Sequence, residues 1–227
     1  MGKQLKKALL VFAKCPQPGL VKTRLAPPLL PEEAAELYRC MLCDIMAKVT
    51  LLPEVERYLF YEEGSDAREY FTEHAPGMTC FPQQGKDLGE RMADAFHTVF
   101  AMGHQAVVVI GSDSPDLPIF FLSDAFDLLE NGESEAVFGP SEDGGYYLVG
   151  MTQLYSQLFN DVPWSSDRVL SESLKRAEDI GITVSLLPIW HDVDIAADLE
   201  RVELRDKENG APLTREFAEK WLKEGNG

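Results

Sequence analysis

Residues 106–118, with the sequence AVVVIGSDSPDLP, constrain the fold more than any other part of the chain. The apolar and largely β-branched first half predicts a strand that is buried on both faces of a parallel sheet. Asp113 follows the end of this strand, and open parallel α/β sheets bind ligands outside the carboxyl ends of their strands. We therefore predict that Asp113 is a metal ligand and that Ser112 contacts the nucleotide. The alternative is that Ser112 and Asp113 only cap the turn and the helix that begins near Pro118.

Hydrophobic periodicity predicts an α/β fold in which strands and helices alternate along the chain. The chain has 227 residues, of which 45% are hydrophobic and 26% charged, and this favours one α/β domain over residues 1–227. The predicted strands are 6–13, 57–61, 78–82, 106–110, 135–139, 146–149 and 184–188. The predicted helices are 31–52, 66–71, one that begins after Asp87, 118–129, 171–181, and one near Leu199, Val202 and Leu204.

Composition excludes several classes of protein. The net charge of −17 and the pI near 4.6 argue against a broad nucleic-acid surface, because phosphates would be repelled. No apolar run reaches the length of a membrane span, and the first residues show no signal-peptide pattern, so we expect a cytoplasmic protein. The cysteines fit a reduced compartment, and the CxxC of residues 40–43 lacks a second pair at zinc-site spacing.

A cationic loop, residues 14–24, follows the first predicted strand. It contains Lys14, Lys22 and Arg24 together with the hydroxyl of Thr23 and a turn at Gly19, and it has no acidic residue of its own. Arginine offers paired donors and lysine a point charge, so this composition predicts a phosphate site. The alternative is a set of solvated surface charges. The loop lacks the glycine patterns of Walker and dinucleotide-binding loops.

Two short motifs lie at the start of the helix that begins after Asp87. Asp87 and Glu90 have the spacing of a capping box, which explains Asp87 without a ligand. Gln84 and Gly85 follow the predicted strand 78–82, where an amide can read a base edge and a glycine lets a flat ring approach. We predict that these two residues contact the nucleotide.

The segment Asp143, Gly144 and Gly145 is predicted to form a turn on the rim near Asp113. A carboxylate there would act as a general base on a hydroxyl group of a second substrate, which we call the acceptor. The two glycines would lie on the acceptor side. The alternative is a plain hairpin turn, for which the Asp-Gly dipeptide is a strong signal. Trp164 lies in a predicted loop, where it would either stack on the acceptor or anchor the loop in the core.

Asp192 and Asp194 follow the last predicted strand in the way that Asp113 follows the central one. Two carboxylates from separate strand ends can share one Mg²⁺ or Mn²⁺ ion with substrate phosphates. We predict that Asp113 and Asp194 share such a metal. The alternative for Asp194 is helix capping.

Five segments together resemble a known family: KTRLAP (22–27), GSDSPDLP (111–118), SEDGGYYLVG (141–150), WSSDRVL (164–170) and DVDIAADLERV (192–202). They are similar to uncharacterised bacterial transferases of the nucleotide-diphospho-sugar transferase superfamily, and the resemblance spans nearly the whole chain. It implies a Rossmann-like three-layer α/β/α mixed sheet of the glycosyltransferase A type, with a nucleotide over the first strands and a divalent metal on the pyrophosphate. By this comparison Asp113 and Asp194 are metal ligands, although the related ending DTPEDL reads DIAADL here.

The resemblance leaves two reactions open. A glycosyltransferase would take a nucleotide sugar, use the metal to stabilise the leaving diphosphate, and pass the sugar to a small acceptor activated by Asp143. A nucleotidyltransferase of guanylyl or cytidylyl type would use Lys22 and Arg24 to neutralise a triphosphate, and KTRL is similar to a guanylyltransferase of deazaflavin cofactor biosynthesis. We expect the first, with Mg²⁺ or Mn²⁺ as cofactor. A binding protein without chemistry fits the clustered carboxylates poorly, since they would repel phosphate without a cation.

Overall fold

Seven strands form one mixed sheet in a computed structural model that describes residues 5–64 and 66–226. In chain order they are β1 (Lys7–Ala13), β2 (Val55–Tyr61), β3 (Thr79–Pro82), β4 (Ala106–Ile110), β5 (Ala136–Pro140), β6 (Tyr146–Met151) and β7 (Val184–Leu186). The order across the sheet is β3-β2-β1-β4-β6-β5-β7. Of the strands described, β6 alone runs antiparallel to its neighbours.

The helices alternate with the strands as the sequence predicts. They are α1 (Pro31–Val49), α2 (Ala67–His74), α3 (Leu88–Ala101), α4 (Ile119–Glu130), α5 (Val169–Asp179), α6 (Val202–Arg205) and α7 (Pro212–Trp221). Short 3-10 helices cover Thr23–Leu25, Ser156–Phe159, Ala196–Glu200 and Lys207–Asn209, and a π-helix covers Leu222–Asn226. Within the described chain, no helix is both long and apolar enough to cross a bilayer.

Most predicted elements are confirmed to within three residues at their ends. Helix α1 ends at Val49 rather than at 52, since Pro53 disfavours helical backbone in the residue before it. The helix predicted near Leu199 is a 3-10 helix followed by the four-residue α6. The sequence reasoning missed α7, although Pro212 in its first turn is a typical start signal.

Alternating side chains of β1 show why helices cover both faces of the sheet. Leu9 and Val11 pack with residues of α1 and α4 on one face. Leu10 and Phe12 pack with residues of α3 and α5 on the other. Successive strand residues point to opposite faces, so an uninterrupted apolar strand requires a cover on each side. The three-layer α/β/α arrangement with a mixed sheet is confirmed.

The topology brings four distant segments to one edge of the sheet. β1 and β4 are parallel neighbours, with Val11 opposite Ile110, so the cationic loop and residues 111–118 leave the sheet side by side. β5 and β7 are parallel to each other and, through the antiparallel β6, run in the same direction as β4. The turn after β5 and the segment after β7 therefore reach the same edge, which we call the carboxyl edge.

Lys48 of α1 fixes the backbone of the loop that follows β4. Its side chain is buried, and Nζ donates to the carbonyl oxygens of Pro115 at 2.6 Å, Leu117 at 2.6 Å and Asn209 at 2.8 Å. Asp116 of the same loop is fully buried and lies 2.9 Å from Nε2 of His191. These contacts join the loop after β4 to the segment that follows β7.

Replacing Lys48 by methionine is expected to lower the free energy of unfolding by about 2 to 4 kcal/mol, because buried carbonyls lose a charged donor. Urea denaturation measures the change. Lys175→Met on the exposed side of α5 is the matched control and should stay within about 0.5 kcal/mol of the parent. Equal stability of the two variants would show that Lys48 does not hold the loop.

Candidate active site

The ammonium of Lys22 lies between two carboxylates at the carboxyl edge. Nζ lies 2.5 Å from Oδ1 of Asp113 and 3.0 Å from Oδ1 of Asp194, and it also donates to the carbonyl oxygen of Val193 at 2.7 Å. The Lys22 side chain is 4% exposed, whereas those of Asp113 and Asp194 are 49% and 32% exposed. The lysine therefore forms the floor of the site, and the carboxylates open toward solvent.

Local backbone geometry directs Lys22 inward. Its φ of 47° and ψ of 38° are left-handed, which is uncommon for a residue other than glycine. The short helix Thr23–Leu25 follows, and its buried Leu25 anchors the turn in the core. Burial by itself would lower the pKa of Lys22, but Asp113 and Asp194 outweigh it and raise the pKa above its ordinary value, so Lys22 is cationic at neutral pH.

Distant acidic residues pair with all three cations of the loop. Arg24 Nη1 donates to Oδ2 of Asp194 at 3.0 Å, although its side chain is 71% exposed. Lys14 Nζ lies 3.2 Å from Oε2 of Glu62 at the end of β2. The loop has no acidic residue of its own, but acidic residues distant in the sequence supply partners in the folded chain.

Helix capping does not explain Asp113 or Ser112. Helix α4 has Pro118 at its N-cap without a side-chain cap bond. Ser112 Oγ is instead 2.7 Å from the hydroxyl of Tyr38, which accepts a hydrogen bond from the backbone N–H of Lys14. The capping alternative for these two residues is therefore wrong.

The capping alternative for Asp194 is also wrong, because a different carboxylate performs that role. The carboxylate of Asp198 accepts hydrogen bonds from the backbone N–H groups of Asp194 and Ile195, both at 2.8 Å. The Asp194 side chain is therefore directed to Lys22 and Arg24.

Asp192 is a third carboxylate beside this pair. It accepts a hydrogen bond of 2.7 Å from Ser114 Oγ. Burial raises the pKa of Asp192 to about 6, and the negative charges of Asp113 and Asp194 add to the effect. The carboxyl edge therefore concentrates negative charge around one buried lysine.

A cavity of about 620 Å³, which we call the donor cavity, has Lys22 in its lining. Its lining includes most of the predicted phosphate-binding and metal-binding residues: Lys14, Lys22, Thr23, Arg24, Ser112, Asp113 and Asp194. Phe12, Tyr38, Leu88, Arg91 and Tyr146 also line it. The donor cavity therefore joins the cationic loop to the carboxylates, with aromatic groups in the same wall.

Gly19, Gln84 and Gly85 do not belong to this lining within the described chain, whereas Leu20 and Gln83 do. The Gln83 amide nitrogen donates to the carbonyl oxygen of Phe60 at 2.9 Å. Gly85 has a φ of 140°, and a Cβ there would lie 2.7 Å from the backbone nitrogen of Arg91, so packing against α3 already requires this glycine. Nucleotide contacts of Gly19, Gln84 and Gly85 stay predictions.

Arg91 is a cavity residue that sequence reasoning missed. Its Nη1 lies 3.0 Å from Glu62 Oε1, so Lys14, Glu62 and Arg91 form a chain of charges on the rim. A signal was present, because Arg91 lies in the first turn of α3, outside its apolar stripe, and α3 is the helix that follows β3. A cation in the first turn of the helix that follows a parallel strand is near the carboxyl end of that strand, where ligands bind.

Asp143 lies in the predicted hairpin turn between β5 and β6. Its Oδ1 accepts hydrogen bonds from Ser141 Oγ at 2.5 Å and from the backbone N–H of Gly145 at 3.0 Å. Both contacts use the same oxygen, which leaves Oδ2, within the described chain, available to a substrate. The turn prediction is confirmed, and the role of Asp143 as a base stays a prediction.

A second cavity of about 140 Å³, the acceptor cavity, adjoins the donor cavity and shares Arg24 and Asp194 with it. It is also lined by Glu142, Asp143, Asp192, Ile195, Asp198 and Arg201. Arg201 is already paired with Glu142 at 2.7 Å and with Asp198 at 3.1 Å. The acceptor cavity is therefore acidic, and both of its arginines are held by carboxylates.

Trp164, Gly144 and Gly145 do not belong to the lining of either cavity within the described chain. The Trp164 indole is half-buried, and a Cβ on Gly89 would lie 2.8 Å from its ring, so it packs against the first turn of α3. A Cβ on Gly144 would lie 2.2 Å from the carbonyl oxygen of Asp167. These contacts agree with structural roles, and acceptor binding by the three residues stays a prediction.

The residues present fit a hard divalent cation whose remaining ligands come from elsewhere. Among the described residues no group of three or more histidine, cysteine, aspartate or glutamate side chains is arranged to hold a metal ion. Mg²⁺ usually keeps several waters and binds through one or two carboxylates plus substrate phosphates. Asp113 and Asp194, both partly exposed beside the donor cavity, match that donor set.

Comparison with known structures and families identifies the class of protein to which this fold and this site belong. The fold is that of nucleotide-diphospho-sugar transferases and nucleotidyltransferases. The protein is a transferase. The chain belongs to the family described as "Uncharacterized protein conserved in bacteria (DUF2064)", whose profile matches residues 45–166, more than half of the chain.

One solved structure is similar over almost the whole chain. It is a Desulfovibrio desulfuricans G20 protein with a provisional assignment as a nucleotide-diphospho-sugar transferase. Identity is 31% and the TM-score 0.84, over 94% of this chain and 99% of that one. The match supports the family resemblance that the sequence motifs indicate.

More distant structures share the fold alone. A cytidylyltransferase from Leptospira borgpetersenii is 15% identical with a TM-score of 0.58, over 98% of this chain and 96% of that one. The inositol-1-phosphate CTP transferase of T. maritima is 15% identical with a TM-score of 0.52, over 96% of this chain and 98% of that one. Comparison with curated proteins gives no match.

Proposed function

We propose that this protein transfers a sugar from a nucleotide-diphospho-sugar donor to a hydroxyl group of a small acceptor, with Mg²⁺ or Mn²⁺ as cofactor. The observation that carries the proposal is the meeting of Lys22, Asp113 and Asp194 in the lining of the donor cavity. Their charges suit a diphosphate that is bridged by a metal. The provisional assignment of the Desulfovibrio relative agrees with this reaction.

The chain's own residues have separate tasks in this reaction. Asp113 and Asp194 would hold the divalent cation, which when bound supplies positive charge that stabilises the leaving diphosphate. Lys22 and Arg24 would donate hydrogen bonds to the phosphate oxygens as negative charge develops there. Lys14 and Thr23 line the same cavity and would hold the remaining phosphate oxygens.

The acceptor cavity favours an acceptor that carries no phosphate. Five of its lining residues are carboxylates, and Arg24 and Arg201 are both paired already. An anionic acceptor would meet like charges without a free cation, which is unfavourable. A hydroxyl group, in contrast, could donate its proton to Oδ2 of Asp143 as it attacks the sugar.

The alternative reaction is nucleotidyl transfer from a nucleoside triphosphate, of guanylyl or cytidylyl type, to a phosphorylated small molecule. Lys22 and Arg24 favour it, since both cations lie where a triphosphate and the departing pyrophosphate need neutralisation. The acidic acceptor cavity argues against it, because its acceptor would bring a phosphate to that side.

Thermal denaturation with a panel of ligands tests the proposal. The panel contains nucleoside diphosphates, triphosphates and nucleotide sugars, each with Mg²⁺, with Mn²⁺ and with EDTA. A ligand at 100 times its Kd adds about 2.7 kcal/mol, which corresponds to a rise in Tm of about 5 to 10 °C for a chain of this size. We expect the largest metal-dependent rise with one nucleotide sugar and its nucleoside diphosphate.

Other outcomes of the panel are equally informative. A response to triphosphates alone would replace sugar transfer by nucleotidyl transfer. The absence of any response to nucleotides would contradict both reactions. Where a nucleotide sugar responds, incubation with candidate polyols should release nucleoside diphosphate, and release of pyrophosphate from a triphosphate would instead support the alternative.

A further inference from the structure

Lys22 occupies the position that the proposed function assigns to a metal. Its Nζ contacts Oδ1 of both Asp113 and Asp194 and is held from below by the Val193 carbonyl oxygen. The three contacts lie between 2.5 and 3.0 Å, so the ammonium fills the space between the two carboxylates.

An ammonium and a divalent cation cannot use these two oxygens together. Mg²⁺ binds carboxylate oxygens at about 2.0 to 2.1 Å and demands regular octahedral geometry. An ammonium in contact with the same oxygens would repel the ion and block its ligand positions. A metal that takes both carboxylates must therefore displace the Lys22 side chain.

The displaced ammonium needs a new anion nearby. The Lys22 side chain is 4% exposed, and a buried charge that loses its partners costs several kcal/mol. Lys22 also lines the donor cavity, where the proposed function places the diphosphate. The flexible four-carbon stem lets Nζ turn toward the cavity while the left-handed backbone of the residue stays in place.

We infer that Lys22 is an internal counter-cation that makes metal binding depend on the donor. Without a nucleotide, its ammonium neutralises Asp113 and Asp194 and keeps free divalent ions out. When a nucleotide binds, its diphosphate forms an ion pair with the ammonium in place of the two carboxylates. The carboxylates can then bind the metal. The inference rests on the proposed function, and it predicts that metal and diphosphate favour each other's binding by the same factor.

Binding of Mn²⁺ alone, measured from the electron paramagnetic resonance signal of the free ion, tests this inference. Lys22→Met should bind Mn²⁺ at least about tenfold more tightly than the parent, which corresponds to 1.4 kcal/mol of relieved competition. Lys175→Met is the matched control: it removes an exposed lysine of α5 that lines neither cavity, and Mn²⁺ affinity should not change. In the double variant that combines Lys22→Met with Asp113→Asn, the gain in Mn²⁺ affinity should be abolished.

A second measurement uses the parent protein and does not depend on whether a variant folds. Saturating nucleoside diphosphate should tighten Mn²⁺ binding by about 5- to 150-fold, the usual range of coupling between sites. Equal Mn²⁺ affinity with and without a bound nucleoside diphosphate would overturn the inference, as would a folded Lys22→Met variant that binds Mn²⁺ no better than the parent. A parent that binds no nucleotide, combined with tighter Mn²⁺ binding by Lys22→Met, would instead refute the proposed function and leave the competition between ammonium and metal in place.

Discussion

Asp113→Asn is expected to lower turnover by about 10³-fold, since the loss of a metal ligand removes several kcal/mol of charge stabilisation. Metal-dependent nucleotide affinity should fall by about 10- to 100-fold, the factor that corresponds to losing one charged contact. The fold should survive, because the Asp113 side chain is 49% exposed and Lys22 keeps Asp194 and the Val193 carbonyl as partners. Asp194→Asn should behave in the same way.

Calorimetric titration of nucleoside diphosphate with and without Mn²⁺ measures the binding effect, and far-ultraviolet circular dichroism checks the fold. Asp87→Asn is the matched control, because Asp87 caps α3 through a 2.9 Å bond from the Glu90 N–H, and asparagine caps a helix equally well. If Asp113→Asn and Asp194→Asn both bind Mn²⁺ and nucleotide as the parent does, the proposed metal site is wrong.

Asp143→Asn is expected to reduce turnover by about 10²- to 10⁴-fold, the usual contribution of a general base. Asparagine keeps an oxygen that can accept the hydrogen bonds from Ser141 and Gly145, so the turn should persist. Because Asp143 lines the acceptor cavity and not the donor cavity, nucleotide affinity should stay near the parent value. Steady-state kinetics combined with separate nucleotide binding distinguishes the two effects.

Asp161→Asn serves as the control for this variant, since Asp161 is an exposed loop residue with a left-handed φ of 52° that asparagine tolerates. Its turnover should equal that of the parent. Loss of nucleotide binding in a folded Asp143→Asn variant would assign Asp143 to the donor or metal site. Unchanged turnover would leave it a turn residue.

Short-range patterns in the sequence were sufficient to predict most of the fold. The apolar run of β4, the three- and four-residue periodicity of α1 and the Asp-Gly turn before β6 each depend on neighbours within a few positions. The prediction that Asp113 lies at a strand end follows from the same pattern, and so does the clustering of cations after β1. The four-residue α6 carries too few turns for a clear periodic signal.

Pairing between distant segments was beyond the reach of local pattern. Lys22 and Asp194 are 172 residues apart, and the parallel arrangement of β1 and β4 with the reversed β6 decides that they meet. The sequence alone also made Asp194 a candidate helix cap, whereas the fold assigns capping to Asp198, four residues later. Trp164 illustrates the same limit, since only the folded chain shows that its indole packs against Gly89.

By itself, then, the sequence determined which residue types reach the carboxyl edge, because strand ends and turns are specified by short-range periodicity and by glycine and proline. The tertiary structure decided how those residues pair, and in particular that a buried lysine separates the two candidate metal ligands. The physical reason is that an ion pair depends on distance and burial in three dimensions, which spacing along the chain does not encode.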